Sequence, residues 1–212
     1  MQFYYDFISP NAYLAWRVLP DIARLHEREL VLKPVLFAGL LQAHHQVGPA
    51  EVAPKMQWMV RNCLRKAINL GIPFAPPHSL NPLLTLRLVL ACEDGDRERL
   101  TDVLFDAVWA ESRDVSDVDS VSRLLSSRRF DADRMLALAQ SPSIKSRLRA
   151  ETDMAVSKGV FGVPTVIVDE ELFFGFDDFP WLERHLRGED SIDESQYANW
   201  QKVRPSAWRT RK

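Results

Sequence analysis

The chain has 212 residues, of which 46% are apolar and 26% are charged, a mixture typical of globular proteins. Its formal net charge of −2 gives no strong field for collecting nucleic acid or an acidic membrane surface. No apolar run reaches the roughly 18 residues of a membrane span, and no signal-peptide pattern opens the chain. We therefore expect a cytoplasmic protein whose two cysteines, Cys63 and Cys92, form no disulfide.

The first 40 residues predict a β-α-β unit. Large apolar side chains over residues 3–8 indicate a strand buried on both faces. Ser9 and Pro10 then begin a helix that runs to residue 29, with a bend or an interruption at Pro20. A second strand covers 30–37, and its crossover from the first strand is expected to be right-handed, with the two strands parallel.

The middle of the chain predicts helices almost throughout. An amphipathic helix ends at Gly71 and Pro73, and Asn81 is expected to cap the helix that follows. The apolar positions of that first helix are Met56, Met59, Val60, Cys63, Leu64, Ala67 and Ile68. Further helical segments are predicted at about 97–112, 117–128, 131–140 and 143–158.

The last part of the chain predicts two short strands and a helix. Strands at 165–169 and 171–176, joined by a tight Asp-Glu turn, indicate an antiparallel hairpin, and a helix follows at 178–187. In the tail, Trp200 and Trp208 suggest packing, for example on a partner subunit. The expected organisation is a unit formed by 1–44 and 159–190, a helical domain inserted at 45–158, and a tail at 191–212.

This order of elements, β-α-β followed by β-β-α, describes an α/β protein with the thioredoxin-like fold. With a large all-helical insertion between its two halves, the chain resembles the DsbA-like branch of that fold. The segment Ser9-Pro10-Asn11-Ala12 stands where the fold carries Cys-Pro-x-Cys. Val163-Pro164 stands where the fold carries a cis-proline, although an X-Pro sequence alone does not show the cis state.

A narrower resemblance is carried by six segments spread from residue 4 to residue 178: "YYDFISPNAYLAW", "GPAEVAPK", "GIPF", "VWAESRDVSD", "GVFGVPT" and "FFGFDD". Together they resemble the 2-hydroxychromene-2-carboxylate isomerases and their relatives, the kappa-class glutathione transferases. The resemblance implies glutathione as cosubstrate, a small aromatic carboxylate as substrate, a role in aromatic-compound breakdown and a homodimer.

Ser9 has no thiol to offer, and its hydroxyl stays protonated near neutral pH. It can, however, donate a hydrogen bond to a thiolate that a ligand supplies, an interaction worth roughly 1.5–3 kcal/mol. A dithiol oxidoreductase needs two sulfur atoms, and Ala12 shows that the second is also missing. Alternatively, Ser9 and Pro10 form only an ordinary helix start.

Residue roles in glutathione binding follow from the resemblance. The backbone of Val163, before Pro164, would pair with the cysteinyl part, and Lys55 would meet a carboxylate. Gln46 is expected near the glycyl end. Gly175, Phe176 and Asp177 would meet the γ-glutamyl end; Phe176 replaces a serine of the kappa enzymes, so only its backbone N–H can serve. Alternatively, Asp177 or Asp178 caps the last helix and Lys55 is solvated.

Four aromatic residues are candidates for a substrate pocket, with core packing as the alternative for each: Tyr13, Phe37, Trp58 and Trp109. The adjacent pair His44-His45 predicts no metal site, because adjacent side chains diverge and no further ligand has suitable spacing. Ser9 lacks the Gly-x-Ser-x-Gly context of a hydrolase nucleophile.

Three functional hypotheses follow. The first is a glutathione-dependent cis/trans isomerase of the 2-hydroxychromene-2-carboxylate type, acting by reversible thiolate addition with Ser9 as the catalytic residue. The second is a kappa-like glutathione transferase. The third is a redox-inactive DsbA-like module that binds a peptide or a protein.

Overall fold

The computed structural model describes residues 1–190 and 192–204. A four-stranded sheet is formed by β1 (Gln2–Tyr5), β2 (Val31–Pro34), β3 (Thr165–Val168) and β4 (Glu171–Phe174). The strand order is β2-β1-β3-β4, with β1 parallel to β2 and antiparallel to β3, and β3 antiparallel to β4. The β-α-β and β-β-α halves therefore share one mixed sheet, as the sequence predicts.

The helices form most of the chain. They are α1 (Pro10–Trp16), α2 (Leu19–Leu25), α3 (Phe37–Ala43), α4 (Ala53–Leu70), α5 (Leu83–Ala91), α6 (Asp94–Trp109), α7 (Val118–Ser127), α8 (Ala132–Gln140), α9 (Pro142–Ser157), α10 (Phe179–Leu186) and α11 (Glu194–Trp200). Two 3-10 turns lie at Pro49–Glu51 and Phe176–Asp178. None of the helices in the described part of the chain is long and apolar enough to cross a membrane.

The predicted first helix is wrong in its length, because two shorter helices replace it. Helix α1 ends at Trp16 and α2 begins at Leu19 with Pro20 in its first turn. A proline ring removes the N–H that a continuous helix would need, but the first turn of a helix tolerates this loss. The interruption at Pro20 is therefore confirmed.

The strands are shorter than predicted. Strand β1 stops at Tyr5 because Asp6 starts a tight turn, in which the Ser9 N–H donates to the Asp6 carbonyl at 3.1 Å. Helix α3 was missed because the second strand was extended to residue 37. Asn81 was predicted to be the N-cap of α5 but lies one residue before it, because α5 starts at Leu83 and Pro82 is the N-cap. The Asn81 side chain still accepts a hydrogen bond from the Leu83 N–H at 3.2 Å.

The apolar stripe of α4 is only half buried. Cys63 and Ala67 face the core, whereas four other members of the stripe are between 39% and 79% exposed: Met56, Val60, Leu64 and Ile68. Residues four apart lie in one row along a helix, so the predicted stripe is two adjacent rows. Only the inner row packs against the protein.

One large core joins the sheet to the inserted helices. It includes Phe3 and Tyr5 from β1, Leu14 from α1 and Phe105 from α6. A smaller cluster on the other face of the sheet surrounds Tyr4, which confirms that β1 is buried on both faces. The division into two domains stays a prediction.

The tail after α10 contains α11, whose Trp200 is 73% exposed. Packing of Trp200 on a partner subunit stays a prediction. Trp208 lies outside the described residues.

Candidate active site

Ser9 lies where β1 and its turn deliver the chain to α1. Its backbone is extended (φ −92°, ψ 115°), and its Oγ accepts a hydrogen bond from the Ala12 N–H at 3.2 Å, with Pro10 next in the first turn. Ser9 is therefore a true helix cap, as one of its two predicted roles requires. Its side chain is nevertheless positioned by a second contact.

That second contact reaches the other half of the fold. The Ser9 hydroxyl donates to the Val163 carbonyl oxygen at 3.3 Å, and the Val163-Pro164 peptide bond is cis. The resemblance implies this cis state, and the structure confirms it. Two loops that are far apart in sequence thus meet at the hydroxyl of Ser9, a residue that is 8% exposed.

Asp6 supports the loop that carries Ser9. Its Oδ1 accepts from the Ile8 N–H at 3.1 Å and its Oδ2 accepts from the Phe37 N–H at 2.8 Å. The side chain is fully buried, and burial raises the pKa of Asp6 to about 7 although these backbone N–H groups oppose the shift. Asp6 was missed in the sequence, where a charged residue inside an apolar strand is the signal that identifies it.

The predicted γ-glutamyl segment is tied to the cis-proline loop. The Gly175 N–H donates to the Pro164 carbonyl at 2.8 Å, and Gly175 has φ 81° and ψ 163°, a conformation that favours glycine. The Asp178 carboxylate accepts from the Phe174 N–H at 2.9 Å and closes the turn. Asp177 does not cap α10, and its side chain is 73% exposed.

Lys66 joins this site, and the sequence analysis missed it. Its Nζ donates to Asp177 Oδ2 at 2.7 Å and to Asn11 Oδ1 at 3.1 Å, and it lies 5.4 Å from the centre of the Phe176 ring. The lysine side chain is 14% exposed. The only sequence signal is its place three residues after the buried Cys63, on the inner side of α4.

Comparison with known proteins agrees with this geometry. Residues 1–187 match the sequence profile of the DSBA-like thioredoxin domain. The chain belongs to the DSBA-like thioredoxin family.

Individual proteins are also similar to the chain. The chain is similar to a 2-hydroxychromene-2-carboxylate isomerase from Sphingobium xenophagum, at 29% identity over 88% of this chain and 97% of that protein. It is also similar to glutathione S-transferase kappa 2 from Caenorhabditis elegans, at 24% identity over 88% and 91% of the two chains. A solved 2-hydroxychromene-2-carboxylate isomerase shares the fold, with a TM-score of 0.83 at 23% identity over 94% and 98% of the chains. The predicted DsbA-like thioredoxin fold is thereby confirmed.

In this DSBA-like protein neither thiol stands at position 9 or 12, which hold serine and alanine. Cys63 and Cys92 are buried and unbonded, and burial raises the pKa of each thiol to about 11. A thiol with so high a pKa is a poor nucleophile near neutral pH. The described residues contain no group of three or more His, Cys, Asp or Glu side chains placed to hold a metal ion.

Two of the four predicted pocket residues are core residues of this DSBA-like fold. The Tyr13 hydroxyl donates to the Pro73 carbonyl at 2.7 Å, and the Trp109 indole N–H donates to the Phe7 carbonyl at 2.9 Å. They are 0% and 5% exposed, and the Phe74 ring stacks against both. Burial also raises the pKa of Tyr13 to about 12. Core packing, the alternative considered for each, describes both.

The other two pocket candidates have different surroundings. Phe37 is partly buried and packs on the smaller cluster, whereas Trp58 is 60% exposed on α4. The four side chains therefore do not share one environment, and a substrate pocket formed by all of them is not seen.

Gln46 and Lys55 are both exposed, between α3 and the first turn of α4. Neither side chain makes a hydrogen bond or an ion pair within the described part of the chain. Their roles toward glutathione stay predictions.

Proposed function

We propose that this protein is a glutathione-dependent cis/trans isomerase of the 2-hydroxychromene-2-carboxylate type. The observation that carries the proposal is a hydroxyl, not a thiol, at Ser9, held against the carbonyl of the cis Val163-Pro164 peptide. Named isomerases among the relatives support the reaction class, and the kappa transferase supports glutathione as cosubstrate.

The residues present fit glutathione. The Val163 carbonyl is an acceptor that a peptide N–H of the ligand can use, and its present donor, the Ser9 hydroxyl, is free to turn toward a sulfur atom. No thiol of the chain competes, because Cys63 and Cys92 are buried and burial raises the pKa of each thiol to about 11. The site is therefore suited to a ligand that brings its own sulfur.

Glutathione supplies a thiolate that adds reversibly to the conjugated double bond of the ring-opened substrate, so that the bond rotates before elimination restores it in the trans form. Ser9 holds the thiolate through its hydroxyl proton before addition and after elimination. A charge-assisted hydrogen bond of roughly 1.5–3 kcal/mol corresponds to about one to two pKa units of the bound thiol. Ser9 therefore raises the reactive fraction of glutathione near neutral pH.

An assay with 2-hydroxychromene-2-carboxylate, with and without glutathione, tests the proposal. We expect the trans-alkene product, with turnover that depends on glutathione and with no net glutathione consumed. Conjugation of a chlorodinitrobenzene-type electrophile without turnover of the chromene would replace the proposal with a kappa-like transferase. No binding of glutathione at millimolar concentration in calorimetry would replace it with a redox-inactive binding module.

A further inference from the structure

We propose that Lys66 binds the α-carboxylate at the α-amino acid end of the thiol cosubstrate, beside Asp177, whose pairing with the α-ammonium is what the family resemblance implies. The inference rests on the proposed use of glutathione, whose γ-glutamyl group carries both charges on one carbon atom. It adds Lys66 to the site and gives the site a criterion for choosing among thiols.

Lys66 is positioned by contacts with two other elements. Asn11 in α1 and Asp177 in the 3-10 turn accept from its Nζ at 3.1 and 2.7 Å, and the Phe176 ring lies 5.4 Å away. Its aliphatic stem is largely covered, since the side chain is 14% exposed. The cation is therefore held at a defined place and does not sample solvent broadly.

The place of this cation is close in the fold to the reactive hydroxyl. Asn11 lies two residues after Ser9 at the start of the same helix. Asp177 follows Gly175, whose N–H donates to the Pro164 carbonyl beside Val163. A ligand that places sulfur at Ser9 and its backbone at Val163 can thus extend toward Lys66 and Asp177.

The pair still has unused hydrogen-bonding capacity. A lysine ammonium has three donors, and the described residues accept from two of them. A carboxylate offers about four acceptor positions, and the Asp177 side chain is 73% exposed. One cation and one anion side by side match a carboxylate and an ammonium on one carbon, with opposite charges adjacent.

Structural stabilisation explains the pair less well. An ion pair with an exposed partner contributes little to stability, because solvent screens it and ordering long side chains opposes it. The Lys66 contacts instead order a charge pair beside the candidate site.

Calorimetric titration of three thiols tests the inference. The first is glutathione; the second is 4-aminobutanoyl-cysteinylglycine, which lacks the α-carboxylate; the third is glutaryl-cysteinylglycine, which lacks the α-ammonium. The proteins are the unchanged chain, Lys66→Met, Lys66→Arg and Asp177→Asn. The control is Arg65→Met, which removes the same charge from the adjacent, exposed position of α4.

We expect Lys66→Met to lower the affinity for glutathione and for the glutaryl thiol by about tenfold or more. This factor corresponds to the loss of one charged hydrogen bond. Its affinity for the aminobutanoyl thiol should be unchanged, Lys66→Arg should retain binding, and Arg65→Met should match the unchanged chain. Asp177→Asn should lower the affinity for glutathione and for the aminobutanoyl thiol, and it should leave the affinity for the glutaryl thiol unchanged.

Equal affinity of Lys66→Met and the unchanged chain for glutathione would overturn the inference and leave the proposed function intact. The same holds if Lys66→Met weakens all three thiols alike, because the loss would then not concern the α-carboxylate. Failure of the unchanged chain to bind glutathione would instead overturn the proposed function, and the inference with it.

Discussion

The Ser9 hydroxyl donates a hydrogen bond to the Val163 carbonyl oxygen at 3.3 Å, across 154 positions of the chain. The same oxygen atom of Ser9 accepts from the Ala12 N–H, so one side chain caps a helix and contacts the cis-proline loop. The two interpretations of Ser9 in the sequence, as a cap and as a functional group, are therefore compatible. Experiments must separate the two roles.

Replacing Ser9 with alanine should separate them. We expect kcat/KM for the isomerase reaction to fall by about one to two orders of magnitude, because the thiolate loses a charged hydrogen bond. Loss of the cap should lower the free energy of unfolding by about 1 kcal/mol and leave the fold intact. Steady-state kinetics and urea unfolding measure the two effects.

Ser141→Ala is the matched control. Ser141 caps α9 in the same way, accepting from the Ile144 N–H at 3.3 Å. It should lose a similar amount of stability, about 1 kcal/mol, and keep full turnover. If Ser9→Ala also kept full turnover, Ser9 would be a cap and nothing more.

The native thiols should be inert. Because burial raises the pKa of Cys63 and of Cys92 to about 11, a disulfide reagent at about pH 8 should react with them slowly until the protein unfolds. Ser9→Cys should add one thiol that reacts faster than the two native thiols, since position 9 caps the N-terminus of α1, where the helix dipole favours a thiolate. A cysteine that reacts rapidly in the unchanged native protein would contradict the proposal that the ligand supplies the reactive sulfur.

Asp6 should make stability depend on pH. Its pKa is about 7 in the folded protein against 3.8 ordinarily, so between these values the folded chain binds more protons than the unfolded chain. The free energy of unfolding should therefore fall as pH rises from about 4 to about 7, by at most about 1.4 kcal/mol per pH unit from this group. Denaturant unfolding of the unchanged chain and of Asp6→Asn measures it: the variant should lack this component of the slope. Identical slopes would mean that Asp6 does not titrate in this range.

Tyr13 should act through packing and not through substrate contact. Tyr13→Phe leaves the Pro73 carbonyl without its donor and should cost about 0.5–1.5 kcal/mol of stability, with KM for the aromatic substrate unchanged. Thermal unfolding and steady-state kinetics check both parts. A raised KM at unchanged stability would restore Tyr13 to the substrate pocket.

Much of the fold was predictable because its signals are local. The run of large apolar residues in β1 and the turn residues between the strands of the hairpin can be recognised from neighbouring positions, without knowledge of distant contacts. The ends of the elements were predicted less accurately, since the end of β1 before Asp6 and the start of α5 at Leu83 depend on specific hydrogen bonds that periodicity does not contain.

The site was predictable only in part. Ser9 and Val163 were found through resemblance, but Lys66 was not, because its role depends on the contact of α4 with Asn11 and Asp177. Such contacts join elements that are far apart in sequence. Tyr13 and Trp109 were ambiguous for a similar reason: an aromatic residue at helical spacing is compatible with a core or with a pocket.

The most direct test of the central claim is a crystal structure of the protein with glutathione. The account predicts the glutathione sulfur within hydrogen-bonding distance of Ser9 Oγ and the cysteinyl backbone paired with Val163. Glutathione bound with its sulfur turned away from Ser9, or bound away from these two loops, would contradict it.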